Sequence, residues 1–569
     1  MSHIEDKMHF KDCRSGQLTN GIERSAHRAL LYSTGLDTED LKKPMVAVVN
    51  SFTEMVPGHY HLRELAEFVK LGIAEAGGVA QEFSTIAICD GICQGHKGMS
   101  YPLPSREVIA DSIEYMIEAH QFDAMVMLPG CDKIVPGMLM AAMRLNIPTI
   151  LVPGGPMLPG RVKDSNTVTL TDMRELIGKT QTGKMDVDEL LEAEQTALPG
   201  VGTCAMLGTA NTMGCLAEVL GMSLPGCGLA HAVSAKKRRI AKQSGRRIVE
   251  MIREDLTPRK IMTKEALRNG IRVSMAIGAS TNSTIHLPAI AHEAGIDLGF
   301  DDFDEISRDV PYLCNIKPSG QYPLSVLEEQ GGIPVVMRAV RSKLDLNQMT
   351  VTGKTVGENL EGVPLVENDL IYPIDHPKSQ EGGLAILHGN LAPDGAVVKA
   401  SGVKPSMHYF EGRARVFHSM EDASWAVSND QIQTGDILVI TYEGPRGGPG
   451  MREMHMTTSL IVGRGMDESC ALITDGRFSG STRGPCIGYI SPEAAAGGPI
   501  AAVEEGDKII IDIPHRTLTL CVPEEEIERR LKVIKHVKKP ATPALQRYAA
   551  LVTSADKGAV LTVPETEQN

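Results

Sequence analysis

One eight-residue stretch, Gly130-Cys131-Asp132-Lys133-Ile134-Val135-Pro136-Gly137, sets a thiol, a carboxyl and an amine side by side. Thiolates suit iron and zinc, whereas carboxylates suit magnesium. A site with both ligand types points to two different inorganic centres close together. Three further segments carry polar residues that a plain core would not choose: Cys89-Asp90-Gly91-Ile92-Cys93-Gln94-Gly95-His96, Tyr442 to Met454 and Ala471 to Gly480. Asp90, Asp132 and Glu453 can supply three oxygens to a magnesium ion. Each acid taken alone reads equally as a helix cap or turn residue. That plain reading weakens when several acids share the same strand-end position.

Other candidates are weaker on spacing. Ser479, between Phe478 and Gly480, is either an exposed nucleophile or base, or an ordinary turn serine; without a Gly-x-Ser-x-Gly elbow the turn is favoured. Cys204 lies among small residues in Gly202 to Met213, and no Cys-x-x-Cys pair occurs, so spacing alone reads it as a buried thiol. His59 and His61 are two apart, which rules out a zincin face and favours structural histidines. The four glycines and two prolines of 444–450 form either a backbone nest for a carboxylate or a solvent loop. Gly178-Lys179-Thr180 mimics the end of a phosphate loop, but Met173 stands where its first glycine is needed.

These segments need strands and helices to position them. Phe122 to Leu128 reads as a buried strand and Met138 to Arg144 as a helix with Pro136 near its start, so Cys131-Asp132-Lys133 falls between strand and helix. In open α/β folds ligands bind there. Strand-like 44–50, 83–89, 123–128 and 148–153 alternate with helix-like 61–77, 105–120 and 136–145, and 236–254 reads as a charged surface helix. The alternation, carried to about residue 370, predicts an N-terminal doubly wound parallel sheet. Residues 350–382 read as a linker. Beyond them, runs at 384–387, 395–398, 436–442, 508–513 and 517–521 predict a C-terminal β-rich, barrel-like α/β domain over 383–569.

The chain of 569 residues is long enough for two domains. A net charge of −14 with no long basic run argues against nucleic acid or an anionic membrane as partner. No stretch of eighteen uninterrupted apolar residues occurs, and the polar N-terminus is unlike a signal peptide, so a cytoplasmic protein is expected. The odd count of 11 cysteines fits thiols or metal ligands better than a disulfide framework.

Taken together these residues resemble the family of dihydroxy-acid and aldonic-acid dehydratases. Cys131-Asp-Lys-Ile-Val-Pro-Gly137 and Leu472-Ile-Thr-Asp-Gly-Arg-Phe-Ser-Gly480 look like its two signatures. Glu107 within Leu103 to Asp111, Gly278-Ala-Ser-Thr-Asn282 and Ser491-Pro-Glu-Ala494 also fit. The match covers nearly the whole chain. The resemblance implies an iron-sulfur cluster on Cys131 and Cys204, and magnesium on Asp90, Asp132, Glu453 and a carbamylated Lys133. It implies Ser479 as the base, acting as an alkoxide. The implied reaction dehydrates a small 2,3-dihydroxy carboxylate to a 2-keto acid, and the implied assembly is a homodimer or homotetramer.

Two positions depart from the pattern. Many members carry a cysteine where this chain has Gly58, so Cys89 or Cys93 reads either as a replacement third ligand or as a plain buried thiol, and the cluster as two-iron (2Fe-2S) or four-iron (4Fe-4S). Tyr489 replaces a common histidine, which bears on specificity. The C-terminal stretch 546–559 resembles the branched dihydroxy-acid members, which favours 2,3-dihydroxy-isovalerate and its methylated homologue. The alternatives are a broad sugar-acid dehydratase and, from another class, a non-catalytic iron-sulfur sensor or electron carrier. The magnesium-type acids and Ser479 argue against the last.

Overall fold

The computed structural model describes residues 13–162, 165–181, 183–535 and 537–563. The polar segment 1–7 lies outside them. The first layer is a four-stranded, all-parallel sheet of β1 (Met45–Asn50), β2 (Val79–Ser84), β3 (Ala124–Leu128) and β4 (Thr149–Leu151), in the order β2-β1-β3-β4. The central strands Met-Val-Ala-Val-Val-Asn and Ala-Met-Val-Met-Leu are buried at every position, as expected of strands covered on both faces. Between them run helices α1 (Leu62–Glu75), α2 (Pro102–His120) and α3 (Ile134–Leu145).

The second strand is shifted from its expected place. It ends at Ser84, because its partner β1 ends at Asn50, the residue paired with Ser84. Residues 85–89 therefore leave the sheet, and beyond the strand end Cys89 caps a single helical turn, Asp90–Cys93, that opens on Asp90.

The alternation also stops earlier than the sequence suggests. After β4 come α4 (Leu170–Gln181) and α5 (Val187–Thr196), then α6 (Thr209–Val219), α7 (Ala235–Glu254), α8 (Lys264–Ile277) and α9 (Ser283–His292). Every residue of α6 is buried, as are the first nine of α9. Wholly buried helices carry no polar stripe, so periodicity gives little sign of them. The 350–382 segment is tied down by bridges Cys314–Ile371 and Tyr312–Ser379 rather than running free.

The later part of the chain closes an eight-stranded barrel. Its strands are β5 (Ala385–Gly389), β6 (Ala392–Val398), β7 (Tyr409–Phe417), β8 (Asp436–Ile440), β9 (Ala471–Thr474), β10 (Cys486–Ser491), β11 (Lys508–Asp512) and β12 (Thr517–Leu520). They follow one another around the barrel as β8-β9-β10-β6-β5-β12-β11-β7. Closure removes the sheet edges. The nine-residue β7 has no apolar run to announce it: Glu411, Arg413 and Arg415 point outward while Gly412 and Ala414 are buried. Helix α10 (His455–Gly463) bridges β8 and β9 and packs on α4.

Barrel and sheet meet closely at Gly450. It holds φ of 96°, and a Cβ there would lie 1.8 Å from the Ser100 carbonyl oxygen, behind the Cys89–His96 loop. Gly450→Ala combines a left-handed backbone penalty with a backbone clash. It is expected to lower stability by about 2 kcal/mol or more, read by denaturant unfolding. Unchanged unfolding would show that this contact yields freely.

Candidate active site

Six segments converge, five of them at the C-terminal ends of strands with parallel partners. The loop after β1 carries Gly58 and His59. The segment after β2 carries Cys89, Asp90 and Gln94. The β3–α3 turn carries Cys131, Asp132 and Lys133, and the approach to α6 carries Cys204. From the barrel, the loop after β8 carries Glu453 and the loop after β9 carries Arg477 and Ser479. An isolated parallel bridge between Glu453 and Arg477 links these last two.

Asp90, Asp132 and Glu453 each place a carboxylate oxygen within 4.8 Å of the others. Two cations sit against them. Lys133 Nζ lies 3.0 Å from Asp90 Oδ2 and 3.8 Å from Asp132 Oδ2, out of hydrogen-bond alignment. Arg477 donates to Asp90 Oδ2 at 3.1 Å and also to Glu453 Oε1. Gln94 Nε2 donates to Glu453 Oε2 at 2.9 Å, and the Ala210 N–H to Asp132 Oδ1 at 3.1 Å. Burial, then the Asp90 charge, pushes the Asp132 carboxyl up to about 7. Burial also opposes ionisation of Glu453, but Arg477 and then Lys133 outweigh it and hold that carboxyl below the usual range. Asp90 Oδ1 is buried with no hydrogen-bond partner. Three converging acids with a bare buried oxygen fit a hard divalent cation.

The thiols form a second group beside the acids. Cys89 and Cys131 are close enough to share a proton, and Cys204 interacts electrostatically with both. Burial, then Asp132, pushes the Cys204 thiol up to about 12. Cys131 is held up likewise, by Cys89 and then burial, whereas Cys131 beside it holds Cys89 below the usual thiol range. A soft metal would supply the charge that makes Cys131 and Cys204 thiolates, so this donor set fits a thiolate-bound metal centre. A Cβ at Gly58 would lie 2.8 Å from Cys131 Sγ and 3.3 Å from the Thr203 methyl group, so position 58 faces this group and its glycine leaves room there. Cys93 is only half-buried. Burial, then Asp90, pushes its thiol up to about 11.

His59 has a positional task that its spacing did not reveal. It is fully buried, and burial pushes it down to about 3, so the ring is neutral. Its Nε2 accepts the Cys131 backbone N–H at 2.8 Å, while Nδ1 faces Ser51. His61 Nε2 instead meets the Gly154 carbonyl at 3.0 Å.

Ser479 is half-buried, and its Oγ lies 2.9 Å from Ser481 Oγ. Its loop is clamped on both sides. Asn282 Nδ2 donates to the Phe478 carbonyl at 3.0 Å, and Lys399 Nζ to the Gly480 carbonyl at 2.9 Å. Burial pushes Lys399 down to about 7. Asp475 accepts three backbone N–H groups, from Tyr442, Glu443 and Ala494, and so ties neighbouring strand ends together. Tyr489 stands behind them, buried, with φ of 58° and its hydroxyl 2.9 Å from Thr281 Oγ1.

The glycine-rich 444–450 loop does make a nest for a carboxylate, but the carboxylate is internal. Glu493 takes the Arg446 N–H at 2.9 Å and the Gly447 N–H at 2.7 Å. Of the other site residues, Arg477 and Asn282 stand inside quoted motifs, so a signal existed for them. Arg174 and Lys399 have none, since each reads as an ordinary surface cation.

The chain matches two family models. Residues 43–359 match the N-terminal, and residues 369–559 the C-terminal, dihydroxy-acid/6-phosphogluconate dehydratase model. It is 52% identical over 552 residues to a dihydroxy-acid dehydratase of Methanosarcina barkeri, covering 96% of this chain and 100% of that protein. It is 51% identical over 549 residues to one of Halothermothrix orenii, with 96% and 100% coverage. It is 52% identical over 551 residues to one of Acetivibrio thermocellus, with 96% and 99% coverage.

Proposed function

Because the chain belongs to the dihydroxy-acid/6-phosphogluconate dehydratase family and is a hydro-lyase, we propose that it dehydrates 2,3-dihydroxy-isovalerate and 2,3-dihydroxy-3-methylvalerate to 2-keto acids, as branched-chain amino acid synthesis requires. The observation that carries this is identity of about half the residues to dihydroxy-acid dehydratases over 96% of the chain. The site supports it with two adjacent donor sets of different hardness.

Asp90, Asp132 and Glu453 would hold magnesium, together with Lys133 once its amine is carbamylated. Carbamylation turns a buried cation that repels a metal into an oxygen ligand. Cys131, Cys204 and Cys89 would hold the iron-sulfur cluster. When bound, the two centres supply Lewis acidity toward the substrate's carboxylate and hydroxyl oxygens. The chain's own residues supply the rest. Ser479 Oγ takes the C2 proton, and the Ser481 hydroxyl, 2.9 Å away, is placed to donate to the ionised Ser479 oxygen. Asn282 and Lys399 keep the Ser479 loop from moving. The C3 hydroxyl leaves as hydroxide, and the enol becomes a 2-keto acid, so substrate yields product plus one water. A homodimer or homotetramer in the cytoplasm is part of the same reading. Among the described residues no helix is long and apolar enough to cross a membrane.

Anaerobically purified protein, with iron, sulfide and magnesium quantified, tests the proposal. Turnover of the branched dihydroxy acids well above gluconate and arabinonate is expected. Preference for the sugar acids would reassign the substrate, with Tyr489 the first position to revert to histidine.

A further inference from the structure

Arg174 is a half-buried cation that feels the charge of Glu453 and of the Cys204 and Cys89 thiols at a distance but, among the described residues, touches no carboxylate. Its guanidinium faces three neutral acceptors: Gln94 Oε1, His455 Nε2 and, at 3.4 Å, Ser481 Oγ. Burial, then Arg174 itself, holds His455 well below its usual range, so that ring is neutral. Among the described residues no carboxylate pairs with Arg174, whereas buried Arg106, Arg452 and Arg477 each pair with at least one. A half-buried guanidinium held in contact only by neutral acceptors keeps its charge available, so such a site favours an incoming anion.

Its location gives that anion an identity. One neighbour, Ser481, touches Ser479; another, Gln94, holds Glu453 through its amide. Arg174 thus spans the base loop and the acid cradle. It lines a cavity of about 390 Å³ with Thr171, His455, Ser481 and Thr482, and a second of about 600 Å³ with Gln94 and Met456. Both are large enough for a small dihydroxy acid, and neither is lined by Ser479, the three acids or the three thiols, which they approach through Arg174, Gln94 and Ser481. Arg174 reaches there from α4, which packs with α5 around Met173, Leu176, Leu190 and Ala193 and rests on α10.

We propose that Arg174 is a substrate-binding residue that receives the carboxylate of the dihydroxy acid, so that the α4–α5 arm carries an anion receptor to the site. The proposal rests on the dehydratase reading. A carboxylate has lone pairs enough to meet a guanidinium and a metal together, and the planar fork suits it.

The test compares wild type, Arg174→Gln and Arg174→Lys for kcat and KM on 2,3-dihydroxy-isovalerate. It also measures inhibition by 2-hydroxyisovalerate, which keeps the carboxylate but lacks the C3 hydroxyl, and by its amide. Arg174→Gln should raise KM and the acid's inhibition constant by about 10- to 100-fold, the worth of a charged hydrogen bond. The amide's constant should stay put, Arg174→Lys should recover part of the loss, and iron content should match wild type. A fall in kcat with KM and the acid-to-amide ratio unchanged would overturn the proposal and make Arg174 a positioning residue for Ser479. Loss of iron would overturn it in favour of a counter-charge to the thiolates. Wild type with no turnover would sink the dehydratase reading instead, and the acid-to-amide ratio would still decide the role of Arg174.

Discussion

Ser479→Ala is expected to lower kcat by about 10² to 10⁴-fold, the range for loss of a general base, while iron, sulfide and magnesium contents stay at wild-type levels. The physical case has three parts. A serine hydroxyl is a poor base in water, so it needs positive charge nearby to ionise. The loop places it two residues beyond Arg477, whose backbone is bridged to Glu453 of the cation cradle. The Ser481 hydroxyl, 2.9 Å away, can donate to an oxyanion at Ser479. The clamps from Asn282 and Lys399 act on carbonyls of residues 478 and 480, not on the serine side chain, so alanine leaves the loop held. Anaerobic assay with metal analysis checks the expectation. Near-normal turnover in a metal-replete Ser479→Ala protein would remove Ser479 from the mechanism.

Cys131→Ala and Cys204→Ala are each expected to reduce bound iron and sulfide by more than about tenfold and to abolish turnover, since losing a direct ligand costs at least what losing its supporting partner does. The three thiols Cys89, Cys131 and Cys204 are the grouped set, and Cys131 is held by a backbone hydrogen bond to the neutral His59. Cys89→Ala should share much of the loss if it is the third ligand. Cys93→Ala should keep iron and the visible charge-transfer absorption, because its half-buried thiol interacts with Cys89 but with neither Cys131 nor Cys204. Visible absorption with iron and sulfide analysis reads all four variants. Full iron in Cys204→Ala would break the proposed ligand set, and loss confined to Cys93→Ala would move the third ligand there.

Much of the site was legible because its chemistry sits in local motifs. Cys131, Asp132 and Lys133 are consecutive, and a strand-to-helix turn must present consecutive residues together. The apolar runs of β1 and β3 announced themselves because central parallel strands are buried on both faces. β7 did not, since its outward positions are charged. The buried helices α6 and α9 did not, since they lack a polar stripe. The glycine-rich 444–450 loop was readable as a carboxylate nest, but that Glu493 fills it depends on strand β10 ending beside it.

Short segments carry the donor inventory and its family: soft thiols, hard acids and a serine at strand ends, in the order of the two signatures. Those are properties of short segments, set by covalent neighbours and hydrophobic period. The folded arrangement alone sets Cys89 beside Cys131 and His59 on the Cys131 backbone, and it brings Arg174 and Lys399 to the Ser479 loop from elements remote in sequence. Those contacts depend on closure of the barrel onto the sheet, as at Gly450 against Ser100, and no local spacing encodes the distance between two separately folded surfaces.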